Sequence, residues 1–443
     1  MSSHTIAGRL RAALPLLTLA LLGVSPAALP ANVAGDVHES YRVLTTTYYE
    51  RVEPQALLAA AADALSDLAK KHGVTVPPPQ IRVEADTAGT LAGLDAAIAG
   101  VADEAHGEPT DYAYAAINAM AHAVGDKYTQ FFTPDEFRQF NDALDPERIS
   151  GIGVEIEQGA DQSIRILYVI PTTPADRMGV QVGDTVVSID GTPAKGLTLE
   201  NASNLLRGKA GSVVTLSILR DAAAPQTIAI KREELQPPTV VFKMLPGNIG
   251  YVYVIAFGKA TTKEFDTAIA RLKAQGARAL AIDLRNDGGG YVNTALDISS
   301  RFIANKPLVT VEERGEAATT ITAEDETSFT LPVTVLVNGY TASASEITAG
   351  ALQDDGIAKL VGAKTYGKGV MQTLTPLPDG AAIKVTTAHY LTPNKHDINL
   401  RGIEPDVSVE EPKGSRLGDV DRDPQLRAAI LVLQKKIAEA KPN

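Results

Sequence analysis

The chain has 443 residues, 44% of them hydrophobic, a length that accommodates about three domains with real cores and excludes a disordered tail protein. Its 41 Lys and Arg against 53 Asp and Glu give a formal charge of -12 with no basic run, which excludes the electrostatic footprint of a nucleic-acid binder. The absence of cysteine removes disulfides, thiolate metal sites and cysteine nucleophiles together, and fits an exported protein.

Residues 1–34 read as a signal peptide. Arg9 and Arg11 precede an apolar run from Ala12 to Val24, followed by small residues and prolines up to Ala34. The run is short for a membrane span, and an uncleaved anchor is the alternative. The expected location is therefore exported, periplasmic or otherwise extracytoplasmic. Residues 36–145 are alanine-rich, with helical spacing such as Leu57, Leu58, Ala61, Leu65 and Leu68. A break at Pro77 to Pro79 precedes further helices around Tyr112 to Val124 and Pro134 to Phe140, which predicts a helical cap without evident chemistry.

Between 149 and 232 the period changes to two, with Ile164, Ile166 and Tyr168 alternating and later Val214, Leu216 and Ile218. This stretch resembles a PDZ module. Ser150-Gly151-Ile152-Gly153 looks like its carboxylate-binding loop, and Pro171, Pro174-Ala175, Gly179, Gly183-Asp184 and Ser188-Ile189-Asp190-Gly191 follow in the expected order. In such a loop glycines let successive N–H groups converge on a carboxylate while the peptide adds a strand to the sheet edge. Gly151, Ile152 and Gly153 are accordingly the candidates for gripping a substrate C-terminus.

Residues 240–412 alternate strands and helices, including a strand at Ile249 to Phe257, a capping-box pattern at Thr261 and Glu264, and apolar strands at Ala279 to Leu284 and Val333 to Val337. Sites in such α/β units form beyond the strand carboxyl ends. Residues 413–443 form a charged tail with a terminal helix near Gln425 to Ala440. The predicted fold is multidomain α+β: helical N-terminal cap, PDZ-like β module, and α/β core.

The turn Asn338-Gly339-Tyr340-Thr341-Ala342-Ser343-Ala344-Ser345-Glu346 puts a serine where a helix begins, beside free N–H groups and a positive dipole end that favour a developing anion. Ser is also the commonest helix cap, so alone it is ambiguous. Lys368, 25 residues on, stands in Tyr366-Gly367-Lys368-Gly369. A buried lysine loses its proton more readily and can then accept one from a serine, although Gly-Lys-Gly is also an ordinary surface turn.

Together these segments resemble the carboxy-terminal processing, or tail-specific, serine proteases. The likeness extends to Asp126-Lys127-Tyr128-Thr129, Phe132-Thr133-Pro134, Asp283-Leu284-Arg285-Asn286, Tyr390-Leu391-Thr392-Pro393 and Gly402-Ile403-Glu404-Pro405-Asp406. It implies Ser343 as nucleophile, Lys368 as general base and Gln372 as its orienting partner. It implies an oxyanion site at the amides of Ala344 and Gly289, with Glu346 as an accessory acid. Asp287-Gly288 departs from the usual Asn-Pro of that glycine turn, which loosens the assignment of Gly289 by one residue.

The substrates implied are proteins or peptides with a free C-terminus, with an adaptor and a homo-oligomer left open. The same likeness implies that the PDZ module helps arrange the active site. No metal or cofactor is implied, since neither metal-ligand spacing nor a phosphate loop occurs. A non-catalytic scaffold that captures chain ends is the rival reading. A histidine-based hydrolase would have to use His389 or His396.

Overall fold

The computed structural model describes residues 28–144, 148–159, 161–220, 224–323, 329–412, 415 and 417–439. Most of the predicted signal peptide lies outside them. No helix among the described residues is long and apolar enough to cross a membrane.

The cap is built from α1 (Ala31–Thr46), α2 (Pro54–Lys71), α3 (Thr87–Glu104), α4 (Pro109–Ala123), the short strand β1 (Gln130–Phe132) and α5 (Pro134–Leu144). On α2 the apolar spacing does what helical periodicity demands, burying Leu57, Leu58, Ala61 and Leu65 along one stripe. Prolines at the first turns of α2 and α4 sit where a missing N–H costs no helical bond.

The PDZ module follows, with β2 (Ile149–Gly151), β3 (Val154–Gln158), β4 (Ile164–Val169), α6 (Pro174–Arg177), β5 (Thr185–Ile189), β6 (Thr192–Pro193), α7 (Leu199–Leu206), β7 (Val213–Leu219), β8 (Gln226–Lys231) and β9 (Glu233–Leu235). Its main sheet runs β3-β4-β5-β7-β8, so β3 is an edge strand. Alternation along β4 and β7 buries Ile164, Ile166, Val214, Leu216 and Ile218 in a separate core. Strand β2, which enters the module, pairs antiparallel with β9, which leaves it.

The core comprises β10 (Val240–Leu245), β11 (Ile249–Val254), α8 (Thr261–Ala274), β12 (Ala279–Asp283), α9 (Val292–Ser300), β13 (Pro307–Glu313), β14 (Thr319–Thr322), β15 (Val333–Val337), α10 (Ala344–Asp354), β16 (Ala358–Gly362), β17 (Val370–Pro376), β18 (Ala382–Leu391), β19 (Val407–Ser408) and the C-terminal α11 (Pro424–Glu439). One sheet has the order β10-β11-β12-β15-β16-β19, parallel except for β10 against β11. Its central strands β12 and β15 are buried throughout, as expected for strands covered on both faces.

Two features differ from the sequence expectation. The cap is not purely helical, because β1 pairs with β18, while Leu377, Ala381, Ile383 and Val385 of the β17–β18 hairpin sit in the cap's hydrophobic cluster. Residues 370–391 thus leave the main sheet and join a second one with β1, β13 and β14. The capping box foreseen at Thr261 is also absent, since Ala260 is the N-cap. Glu264 instead accepts from the Thr239 and Val240 amides and the Thr239 hydroxyl. A neighbouring strand's unpaired amides outcompeted the local partner, as happens when tertiary packing places donors within reach.

The terminal helix α11 packs on β12, β15 and β16 through Leu426, Ala429 and Leu433. At its start is a buried ionic knot. Arg285 lies against Asp283 at 2.5 Å and Asp423 at 2.7 Å, all essentially without solvent exposure. Gln425 accepts from Arg285 at 2.9 Å, Tyr251 donates to Asp283, and the Gly418 and Leu426 amides donate to Asp423. Breaking a buried pair on one side leaves uncompensated charge, at about 3–5 kcal/mol. Arg285→Met is accordingly expected to destabilise the core by roughly that amount, read as a lower urea midpoint for the core transition.

Candidate active site

Two loops at the carboxyl ends of adjacent parallel strands build the site, one after β12 (residues 284–291) and one after β15 (residues 338–343). They are stitched by reciprocal hydrogen bonds between Asn286 and Asn338, with Asn338 Nδ2 to Asn286 Oδ1 at 2.9 Å and Asn286 N to Asn338 Oδ1 at 3.1 Å. Thr341 adds a bond to the Leu284 carbonyl. Ser343 caps α10 with φ 58° and ψ -119°, a conformation that side chains other than glycine rarely adopt and that recurs at functional sites.

Its strain is held from several sides. The Ser343 amide donates to Glu346 Oε2 at 3.0 Å, the Tyr390 hydroxyl reaches the Ser343 carbonyl, and the preceding Ala342 amide donates to the Asp287 carbonyl. Gly289 packs directly beneath. With φ +97°, an added Cβ there would stand 2.7 Å from the Ala342 oxygen and 2.8 Å from the Ala344 nitrogen.

Glu346 is fully buried and collects donors from the segments that carry Ser343 and Lys368. Besides Ser343 it accepts from the Thr365 hydroxyl at 2.5 Å and from the amides of Gly367 and Lys368, each at 2.8 Å. The Thr365 hydroxyl in turn accepts from Ile403 N, and Leu400 N donates to the Gly367 carbonyl. An added Cβ at Gly367, φ +86°, would fall 2.7 Å from Gly402 N. The glycines flanking Lys368 therefore admit the 398–403 segment as a close backbone neighbour.

Ser343, Lys368, Gln372, Gly289 and Asp287 line one cavity of about 410 Å3, together with Phe140, Met371 and Lys384. Burial, with Lys384 adding to it, pulls the Lys368 ammonium down to about 8. Its Nζ stands 5.3 Å from the centre of the Tyr128 ring. That ring is set by Asp126, whose carboxylate accepts from the amides of Tyr128 and Thr129 and from the Thr129 hydroxyl. The cap therefore reaches the site through Tyr128 and Phe140, a contribution the sequence had not revealed. Among the described residues no hydrogen bond joins Ser343 Oγ to Lys368 Nζ.

A register shift between Met371 and Gln372 interrupts the β17–β18 pairing, and the Gln372 amide donates to the Val370 carbonyl at 3.3 Å rather than to Lys368. Ser345 points away from the cavity and bonds the Asp287 carbonyl. The Gly289 amide donates to Asp287 Oδ1 at 2.8 Å, so this expected oxyanion donor is engaged by its own turn, a habit of short acidic side chains. Burial pushes Asp287 up to about 7, and among the described residues its other oxygen has no partner. The Ala344 amide has no acceptor among the described residues. His389 packs on Tyr49 at 4.5 Å and His396 lies near Asp354, neither of them lining this cavity.

In the PDZ module, a groove of about 450 Å3 runs between β3 and α7, lined by Gly151, Ile152, Gly153, Leu199, Leu206 and Arg207. Gly153 takes φ +85° with Thr173 directly behind it. No metal-binding cluster of three or more His, Cys, Asp or Glu residues occurs among the described residues.

The sequence model of peptidase family S41 matches residues 248–409, and that of the PDZ domain matches residues 165–220. Fold and site thus define a serine-type peptidase carrying a PDZ module. The carboxyl-terminal-processing protease of Picosynechococcus sp. is 34% identical over 336 residues, covering 74% of this chain and 81% of that protein. The carboxy-terminal processing protease CtpA of Bacillus subtilis is 32% identical over 325 residues, covering 73% and 69%. A solved photosystem II D1 C-terminal processing protease is 26% identical, covering 89% of this chain and 96% of that one with a TM-score of 0.45. The chain belongs to the carboxyl-terminal-processing proteases of peptidase family S41.

Because Glu346 bonds the backbone on both sides of the site, Glu346→Gln should leave the chain folded. The amide cannot accept all four donors, and kcat/KM is expected to fall by about 10- to 100-fold, the range seen when a supporting shell is lost. A peptide-cleavage assay with a thermal melt checks both halves. Gly289→Ala meets positive φ and backbone contact together, and should lower kcat at least ~100-fold, the loss typical of a damaged oxyanion site.

Proposed function

We propose that the chain is an exported serine endopeptidase that engages the free C-terminal end of a protein substrate through its PDZ groove and cleaves by a Ser343/Lys368 dyad. The observation that carries this reading is the shared cavity. It brings together a serine held in a strained conformation at a helix N-terminus and a lysine whose burial favours the neutral amine. The Ser343 hydroxyl attacks the scissile carbonyl while Lys368 takes its proton. The oxyanion is received at the Ala344 amide, with the Gly289 amide joining once Asp287 releases it. Lys368 then hands that proton to the leaving amine as the C–N bond breaks and the acyl-enzyme forms on Ser343; neutral again, it takes a proton from the water that attacks the ester and returns it to the Ser343 hydroxyl as the acid product leaves. Gln372 positions Lys368 after a change of partner from the Val370 carbonyl, and Glu346 holds both loops.

Recognition of chain ends is supported by β3 being an open sheet edge and by the unbonded amides of Ile152 and Gly153 among the described residues, with Arg207 alongside. The β2–β9 ladder connects this loop to the strand leading into the core, a route by which a bound tail biases the active site. An adaptor and a homo-oligomer are compatible with this arrangement.

The lack, among the described residues, of a hydrogen bond from Ser343 to Lys368 and the occupied Gly289 amide also suit a scaffold that binds without cutting. Incubating an unstructured protein ending in a short apolar tail with the mature enzyme, Ser343→Ala and Lys368→Ala decides between them. Cleavage by the parent alone supports the dyad, whereas binding by all three with no cleavage supports the scaffold. A lysine base must be neutral, so kcat/KM is expected to rise with pH through about 8 and level off above it. Amidating the substrate C-terminus should cost about tenfold in kcat/KM through the loss of a charge-assisted contact, and equal rates would remove the PDZ role.

A further inference from the structure

The active-site cavity holds a second lysine that the proposed chemistry does not use. Lys384 lies on β18, in register with Gln130 of β1 on one side and Leu374 of β17 on the other. It lines the same cavity as Ser343 and Lys368. Its Nζ stands 5.0 Å from the centre of the Phe132 ring and 5.2 Å from that of Phe140, two rings stacked at 5.1 Å. Among the described residues no carboxylate forms an ion pair with it.

We propose that Lys384 is an electrostatic positioning residue whose fixed positive charge, shared across one cavity, keeps Lys368 in the amine form. The proposal rests on the dyad reading and extends it by saying why Lys368 is a base. The physical argument is that aromatic faces stabilise a cation without offering it a proton acceptor. Lys384 therefore stays charged where a carboxylate partner would have cancelled its field. Two largely buried ammonium groups lining one cavity repel, and the pair relieves this by releasing a proton.

The groups facing Lys368 are few. Glu346 on α10 and Asp126 in the cap loop favour its charged form, while Lys384 opposes it. Asp287 lines the same cavity from the glycine loop. Tyr128 covers Lys368 from the cap, and Tyr390 is turned to the Ser343 and Lys368 carbonyls. Lys127, the next cation along, is bonded to Tyr366 at 3.1 Å. Lys384 is thus the cation placed to counter Glu346 and Asp126. Burial lowers the proton affinity of Lys384 as well as that of Lys368, and for Lys384 the two ring faces offset that cost.

The test is the pH dependence from 6 to 10 of two rates at constant ionic strength, kcat/KM on a peptide substrate and Ser343 acylation by a small fluorophosphonate. The enzymes compared are the parent, Lys384→Met and Lys384→Arg. The methionine variant keeps an apolar stem between the rings but no charge. Its acidic limb is expected about half to one pH unit higher, so that rates at pH 7 fall about 3- to 10-fold while the high-pH plateau changes little. The arginine variant should overlay the parent. A methionine limb coincident with the parent's, a loss equal at all pH values, or an arginine limb displaced like the methionine one would each overturn the proposal. Lys384→Gln replaces the methionine variant if a thermal melt shows that the latter does not fold. Lys368→Ala, run alongside, tests the dyad separately, since activity that survives it with an unchanged limb removes the dyad whatever Lys384 does.

Discussion

A single buried carboxylate holds the two halves of the site at a fixed separation. Glu346 has no exposure to solvent, and its two oxygens are shared among the Ser343 amide, the Thr365 hydroxyl and the amides of Gly367 and Lys368. A carboxylate with that many donors is well satisfied without a cationic partner, and such fully connected polar groups rigidify their surroundings. The segments carrying Ser343 and Lys368 are loops, which on their own would be mobile. Tied to one side chain on the first turn of α10, they move with the helix. The unfavourable backbone conformation of Ser343 survives because the surrounding bonds over-determine it.

Around this tie the chain recruits distant segments. The cap supplies Tyr128 and Phe140, positioned through the Asp126 turn and the β1–β18 pairing. The C-terminal segment supplies Asp423, which braces Arg285 in the strand-to-loop passage that leads to Asn286 and the glycine turn. The Gly402-Ile403 segment closes on Thr365. Burying a lysine deeply enough to depress its proton affinity requires walls from several parts of the molecule. Here they come from the cap, both core sheets and the glycine loop.

Much of the site was legible beforehand. The likeness of the Ser343 and Lys368 segments to the carboxy-terminal processing proteases singled out two residues that line one cavity. The PDZ-like order of glycines and prolines pointed to the groove at Gly151 to Gly153. Local pattern failed where partners lie far apart in the chain. Thr261 and Glu264 have the spacing of a capping box, yet Glu264 serves Thr239 and Val240 across a strand boundary. The same type of pattern at Ser343 and Glu346 does place the acid on the N-cap amide, and then extends it to residues 365–368. Residues 126–134 carried part of the protease likeness but no assigned role, because Tyr128 and Phe140 act by position and not by a reactive group.

Sequence alone determined the chemistry available: a serine at a helix start, a lysine between glycines, no cysteine, and apolar periods that assign buried faces to helices and strands. These follow from local rules of backbone conformation, side-chain period and functional-group type. Only the tertiary structure decided which groups are buried together, that Gly289 is engaged by Asp287, that Gln372 turns to Val370, and that a second lysine shares the cavity with the first. Those facts depend on desolvation and through-space charge, which are properties of the assembled cavity and of no single segment.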